Sequence, residues 1–130
     1  MAGQLTIDTL KASTGVLATQ NGMSGIAKAW VNFNGLSGSV AIRTSFNFSS
    51  VTRNGAGDYS VAFTTAMPDA DYTIVGTAGL TEGNFHGIVN PNTDLNGTDI
   101  APTTTGFRFI TSNNVSGTAD NRYVYLSIFR

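Results

Sequence analysis

The sequence has no cysteine, a single histidine and few charged residues, and each of these absences excludes a class of protein. Without cysteine there is neither a disulfide framework nor a thiolate-bound metal. One histidine, His86, excludes a metal site built from several histidines of one chain. Charged residues make up 12% of the chain, about half of the ~25% that is usual, and the net charge is −1. The sequence therefore predicts no binding of nucleic acid and no attraction to an anionic membrane.

Long hydrophobic runs and targeting signals are also missing. No apolar stretch approaches the ~20 residues that cross a bilayer, so membrane insertion is not expected. Residues 1–8 have neither the basic nor the apolar region of a secretory signal. We expect synthesis in the cytoplasm, with any extracellular position reached as part of a particle.

The residues that are present alternate with a period of two. Hydrophobic residues make up 41% of the chain, which is enough for one packed domain. The stretches Val40 to Phe48 and Tyr59 to Phe63 place their apolar residues at every second position, as half-buried antiparallel strands do. Between them, Asn54-Gly55-Ala56-Gly57 supplies the positive-φ positions of a hairpin turn. The strands on either side of this turn should pair.

Further strands are predicted at Tyr72–Thr77, Phe85–Val89, Gly106–Thr111 and Arg122–Phe129. The last of these is apolar on both faces, which favours a central strand or one covered by a neighbouring subunit. Tyr123, Tyr125 and Phe129 are therefore candidates for an oligomer interface. The predicted fold is all-β, an antiparallel β-sandwich or jelly-roll-like domain over residues 26–130.

The first 25 residues differ from the rest. Gln4–Leu10 holds one short alternating stretch, with Leu5 and Ile7 against Thr6 and Asp8, and small residues follow up to Gly25. One interpretation is a first strand followed by a loop. The other is an extended N-terminal arm that pairs with a neighbouring subunit or docks on a larger component, as unpaired strand edges allow.

Residues with catalytic potential are few. His86 has no nucleophile elbow to accompany it and is expected to make a local hydrogen bond. Glu82 is the only glutamate, and no partner for a glycosidase pair can be identified. Arg43 and Arg53 are expected to pair with Asp58 or with a carboxylate of the next subunit. We predict a protein that is not an enzyme and that uses no metal and no cofactor.

Two features are candidates for ligand binding. Asp94, Asn96 and Asp99 bring oxygen ligands to one loop, as calcium sites do, but without EF-hand spacing or a closing Glu, so a solvated loop is the plainer interpretation. Trp30 lies on the polar face of its strand, beside Asn32. An indole in that position stacks on a sugar, anchors a protein interface or simply covers an edge of the core.

Four linked motifs carry a resemblance to a known family. They read A-W-V-N-F-N-G, I-R-x-S-F-N, S-S-V-T-R-N-G-x-G-D-Y and F-T-T-A-M-P-D-A-x-Y, at Ala29–Gly35, Ile42–Asn47, Ser49–Tyr59 and Phe63–Tyr72. This block resembles one found in tail-fibre and small virion-surface proteins of tailed bacteriophages, marine phages in particular. In that family the domain often lies at the C-terminal end of long fibre proteins, whereas here only a short lead precedes it.

The resemblance implies a structural protein of a phage virion, made in the host cytoplasm and carried on the particle. It would be a capsid decoration, head-fibre or tail-fibre subunit, a homotrimer in contact with other virion proteins. The alternative is a receptor-binding adhesin domain that recognises host surface glycans through Trp30 and the loop residues Asp94, Asn96 and Asp99. A third class, a hydrolase of surface polysaccharide, would depend on Glu82 or Asp94.

Overall fold

The regular structure consists of β-strands. A computed structural model describes residues 26–38, 40–79, 87–113 and 117–130. The arm and the residues Glu82 and His86 lie outside these ranges. The strands are β1 Ala27–Asn34, β2 Ala41–Phe46, β3 Phe48–Gly55, β4 Asp58–Phe63, β5 Thr73–Gly79, β6 Gly87–Pro91, β7 Gly106–Asn113, β8 Gly117–Thr118 and β9 Tyr123–Phe129. None of the described residues forms a helix that could span a membrane.

The strands form one antiparallel sheet that curls almost into a barrel. Their order is β2-β1-β9-β5-β6-β7-β4-β3, with β8 paired to β7 outside this path. The predicted all-β antiparallel class is confirmed. The last strand is expected to be central or to be covered by a neighbouring subunit, and the structure shows a central strand, since β9 lies between β1 and β5. Its residues Val124, Leu126 and Ile128 are buried in the core.

The predicted hairpin is present. Strands β3 and β4 pair across the turn, with Arg53 opposite Tyr59 and Gly55 opposite Asp58. Of the turn glycines, Gly57 takes the positive φ of 70°. Hydrophobic side chains on the inner side of the sheet then meet as edge-to-face and stacked aromatic pairs. These core residues include Phe33, Phe48, Tyr59, Phe63, Tyr72, Phe107 and Phe109.

The predicted run from Val40 to Phe48 is broken at Asn47. This residue has a φ of 58°, a left-handed conformation that asparagine tolerates better than most residues. Its side-chain amide donates to the carbonyl oxygens of Lys28 (3.3 Å) and Thr65 (3.1 Å), and its Oδ1 accepts the Thr65 N–H at 2.7 Å. Strands β2 and β3 lie at opposite ends of the strand order and follow each other in the chain. Asn47 is therefore the corner at which the two ends of the sheet meet.

A polar cluster holds one end of the domain together. The Asp120 carboxylate accepts hydrogen bonds from the Arg53 Nε (3.0 Å) and Nη2 (2.9 Å), the Gly57 N–H (2.8 Å) and the Tyr59 hydroxyl (2.9 Å). The same hydroxyl lies 2.6 Å from the Gly35 carbonyl oxygen. Burial, reinforced by the Asp120 carboxylate, raises the pKa of Tyr59 well above its ordinary value, so the phenol stays protonated. We call Arg53, Gly57, Tyr59 and Asp120 the Asp120 cluster.

The predicted pairing of Arg53 with Asp58 is wrong. Arg53 binds Asp120, while Asp58 binds Arg108 with an Nη2–Oδ2 distance of 2.6 Å. The reason is the alternation of the hairpin. Arg53 is opposite Tyr59 and shares its inner side, whereas Asp58 precedes Tyr59 and so faces the outer side.

Candidate interaction surface

The outer side of the strands β2, β1, β9 and β5 carries a patch of large apolar residues. On β1 the inner positions Ala29, Val31 and Phe33 are buried, so Trp30 and Asn32 must face outward. Trp30 is 38% exposed. The alternation of β1 predicts that Trp30 lies on the polar side of its strand, and in the structure this side faces away from the core.

Strand register aligns outward residues of the neighbouring strands with Trp30. Phe46 on β2 and Ser127 on β9 are directly opposite Trp30, and Val75 on β5 is opposite Ser127. Val75 is 52% exposed, and Ser127 between it and Trp30 is small. Directly opposite side chains on one side of a sheet lie ~5 Å apart, so this row is a continuous strip.

The next rows extend this strip in both directions. Asn32 is opposite Thr44 and Tyr125, and Tyr125, which is 44% exposed, is opposite Thr77. Tyr123 and Phe129 occupy the outward positions at the two ends of β9. We call this surface the aromatic face. Its large residues are Trp30, Phe46, Val75, Tyr123, Tyr125 and Phe129.

Arg43 lies at the side of the aromatic face. Its guanidinium carbon is 4.7 Å from the centre of the Tyr123 ring, a cation–π contact. It donates from Nη1 to the Asn32 side-chain oxygen at 3.1 Å and from Nη2 to the Arg122 carbonyl oxygen at 2.6 Å. Arg43 is expected to pair with a carboxylate. Within the described residues, its partners are instead the Tyr123 ring, the Asn32 side-chain amide and the Arg122 carbonyl oxygen. These contacts hold the arginine against the sheet.

Phe46, Val75 and Arg43 belong to this surface although the sequence did not single them out for it. The alternation over Val40 to Phe48 predicts that Phe46 shares one side with Ile42, Thr44 and Phe48, and this prediction is wrong. A bulge opposite Asn32–Phe33 and the left-handed Asn47 each shift the alternation by one position. Phe46 and Thr44 consequently face outward while Phe48 is buried.

The loop with Asp94, Asn96 and Asp99 uses its carboxylate to close its own turn. The Asp94 Oδ1 accepts the N–H groups of Asn96 (2.8 Å) and Thr98 (2.9 Å). The hydrogen bond from the Thr98 N–H is the main reason why the pKa of Asp94 lies below its ordinary value. Asp99 forms a backbone bridge with Thr93. Within the described ranges, no group of three or more His, Cys, Asp or Glu side chains is placed to hold a metal ion.

The structure separates Trp30 from this loop. The loop lies beside β7, where the Asn92 N–H donates to the Arg108 carbonyl oxygen at 2.8 Å. Four strand-to-strand steps separate β1 from β7 in the sheet, about 19 Å along a nearly closed barrel. Trp30 therefore does not converge with Asp94, Asn96 and Asp99 on one ligand. It shares the aromatic face with the interface candidates Tyr123, Tyr125 and Phe129.

No family model, no curated protein and no solved structure matches the chain.

Proposed function

We propose that this protein is a non-enzymatic structural subunit on the surface of a tailed-phage virion, as a capsid decoration, head-fibre or tail-fibre protein. Copies assemble as a homotrimer through the aromatic face, and the N-terminal arm contributes to attachment. The observation that carries the proposal is the aromatic face itself. Single exposed hydrophobic residues are ordinary, whereas a continuous patch of them indicates an interaction site.

The composition of the aromatic face favours a protein partner. Protein interfaces are enriched in Trp, Tyr and Phe and depleted of charge at their centre. On this face the large residues surround Ser127, and the nearby cation of Arg43 is held by Asn32, Arg122 and Tyr123. Burial of the face against a second copy would therefore require little desolvation of charge.

The phage-like motifs support the same proposal because they coincide with the elements that shape the domain. The first motif forms β1, which carries Trp30, and the third forms the β3–β4 hairpin. The asparagine that ends the second motif is Asn47, the corner of the sheet. The resemblance implies the trimeric state.

The carboxylates also fit a structural protein. Asp58 and Asp120 are bound to arginines, Asp69 binds Arg130, and Asp94 closes its own turn. These four carboxylates are each engaged in contacts within the domain, as is usual in a structural protein.

Assembly through the aromatic face can be tested with a matched pair of variants. Val75→Arg places a charge on the face, and Leu95→Arg places one on the loop beside β7, away from the face, at a residue of similar exposure (45%). We expect Val75→Arg to weaken association by about 2–4 kcal/mol per contact, because the new charge would be buried without a partner. Size-exclusion chromatography with light scattering should give monomers for Val75→Arg and trimers for Leu95→Arg and the wild type. Equal behaviour of the two variants would contradict the use of this face.

The virion role itself is tested by locating the chain on intact particles by cryo-electron microscopy. We expect density for the domain on the capsid shell, on a head fibre or along a tail fibre, in groups of three copies. Purified particles that lack the chain would refute the proposal.

A second candidate function is recognition of host glycans, and the exposure of Trp30 favours it. The indole lies on the outer surface of the sheet among Asn32, Thr44 and Tyr125, a combination of ring and hydrogen-bonding groups that suits a sugar. Glycan-array binding that is lost in Trp30→Ala, with unchanged circular dichroism, would support the adhesin. Density at a fibre tip would point the same way.

A further inference from the structure

The nearly closed barrel has an open seam. Strands β2 and β3 end the strand order, and in the described part of the chain no ladder pairs them with each other. They approach only at the Asn47 corner and diverge from it. Ile42 illustrates the opening. It is opposite the buried Phe33 and should be covered, yet it remains 36% exposed.

Among the residues that the structure describes, the outer backbone edge of β2 therefore has no strand partner, and it lies next to exposed side chains on both of its sides. From Ala41 to Thr44 every residue is exposed. In an antiparallel pair, alternate residues direct their N–H and C=O groups away from the partner. On β2 these groups point away from β1 and are available to a further strand.

The side chains of the two edge strands do not protect them from pairing. Natural sheets guard open edges with lysine, with proline or with a charge that projects outward. Neither β2 nor β3 contains lysine or proline, and each has one arginine. Arg43 is folded back over Tyr123, and Arg53 points inward to Asp120. The β-bulge at Arg43, another device found on natural edges, interrupts β2, but the residues on either side of it carry none of these side-chain guards and are suited to receive a strand.

We propose that the free edge of β2 receives the segment Gln4–Leu10 of a neighbouring copy as an added antiparallel strand. The segment alternates with a period of two, as strand addition requires, and its seven residues match the six of β2. Leu5 and Ile7 share one side and would cover Ile42 in the seam. Thr6 and Asp8 would then lie on the solvent side with Thr44.

The connection between the segment and the domain permits this exchange. Residues 11–25 separate the segment from the domain, and a random coil of fifteen residues has a root-mean-square end-to-end distance of about 21 Å, close to the ~20 Å length of β2. The domain begins with Ile26, next to Ala27, which is opposite Phe129 of the aromatic face. Because β2 also supplies Phe46 to that face, copies that pack through it bring the arm of one next to the β2 edge of another. The inference rests on the proposed assembly and identifies where the arm binds.

The absence of cysteine makes a cross-linking test straightforward. One tagged chain carries Thr44→Cys on β2, and a second, differently tagged chain carries Thr6→Cys or Asp8→Cys in the arm. After joint refolding and mild oxidation, a disulfide between the two tags can only be intermolecular. The control replaces Thr44→Cys by Thr77→Cys, an exposed threonine in the same row about 14 Å away. Circular dichroism confirms that each variant is folded.

We expect at least one arm position to give a covalent heterodimer with Thr44→Cys, several-fold more than with Thr77→Cys. A chain that carries both Thr44→Cys and the best arm cysteine should form linked oligomers and not an internal disulfide. An internal disulfide, equal yields at Thr44 and Thr77, or no cross-link would each overturn the proposal. If light scattering and microscopy show trimers on virions while the cross-link fails, only the strand exchange is refuted.

Discussion

Replacement of Gly57 by alanine is expected to destabilise the domain by about 3 kcal/mol or more. Gly57 has a φ of 70°, which disfavours any side chain. A Cβ atom there would lie 2.6 Å from the Ala119 nitrogen and 2.6 Å from the Thr111 carbonyl oxygen. These two backbone atoms are hydrogen-bonded to each other at 3.0 Å, so the methyl group would wedge the pair apart. Urea unfolding, followed by circular dichroism and by the fluorescence of Trp30, measures the loss.

Gly97→Ala is the matched control for this substitution. Its φ of 73° is nearly the same, but a Cβ atom at Gly97 would have no neighbour within 4 Å. The conformational cost alone is about 1 kcal/mol. The difference between the two variants isolates the steric contribution at the Asp120 cluster. Equal destabilisation would mean that the backbone at Thr111 and Ala119 gives way to the methyl group, and our account of this close approach would be wrong.

The second large effect is expected for Asp120→Asn. The carboxylate is mostly buried and binds Arg53, the Gly57 N–H and the Tyr59 hydroxyl. An amide has the same shape, but it leaves the arginine without its counter-charge and turns an N–H₂ group toward existing donors. We expect a loss of about 3 kcal/mol at neutral pH, measured by urea unfolding. Asp69→Asn, which removes the exposed ion pair with Arg130, should change the stability little.

The acid dependence of stability provides a second readout for Asp120. Burial acts to raise the pKa of the Asp120 carboxyl, but the hydrogen bonds from Arg53, Gly57 and Tyr59 outweigh it and hold the pKa below its ordinary value of 3.8. A lowered folded-state pKa stabilises the protein above the unfolded-state pKa, and this contribution disappears as the pH falls through the folded value. The difference between wild type and Asp120→Asn should therefore be largest near neutral pH and shrink below pH 3.8. A difference that is constant between pH 7 and pH 3 would show that the charge of Asp120 is unimportant.

Local features of the fold could be predicted from the sequence. The β3–β4 hairpin follows from alternation on both sides of a glycine-rich turn, and the central place of β9 follows from its two apolar sides. Both predictions depend on residues close together in the chain, where period and turn chemistry act directly.

Features set by long-range contacts could not be predicted. The left-handed Asn47 looks like any polar position of an alternating run, and only its partners at Lys28 and Thr65 make it a corner. Arg53 is closer in sequence to Asp58 than to Asp120, and the alternation of the hairpin decides between them. Such pairings depend on which strands are neighbours in the sheet, which the sequence does not state.

For the candidate surface, the sequence identified four of the six large residues of the aromatic face. Trp30 is a candidate because it lies on the polar face of its strand, and Tyr123, Tyr125 and Phe129 are candidates because the last strand is apolar on both sides. The sequence suggests a ligand site for Trp30 and an oligomer interface for the other three, because it does not show that β1 pairs with β9. Phe46 was assigned to the wrong side because the bulge and the Asn47 corner interrupt the alternation.

The position of β9 between β1 and β5 also has a consequence for biosynthesis. β1 is complete at Asn34, yet the strand that joins it to β5 ends only at Phe129. On the ribosome, the two halves of the sheet therefore lack their common neighbour until residue 129 has emerged from the exit tunnel. Final folding must follow the synthesis of β9, and a nascent chain that stops before it leaves β1 and β5 unpaired on that side. The topology thus makes formation of the aromatic face depend on translation having passed residue 129, so prematurely terminated chains would not present an assembly surface.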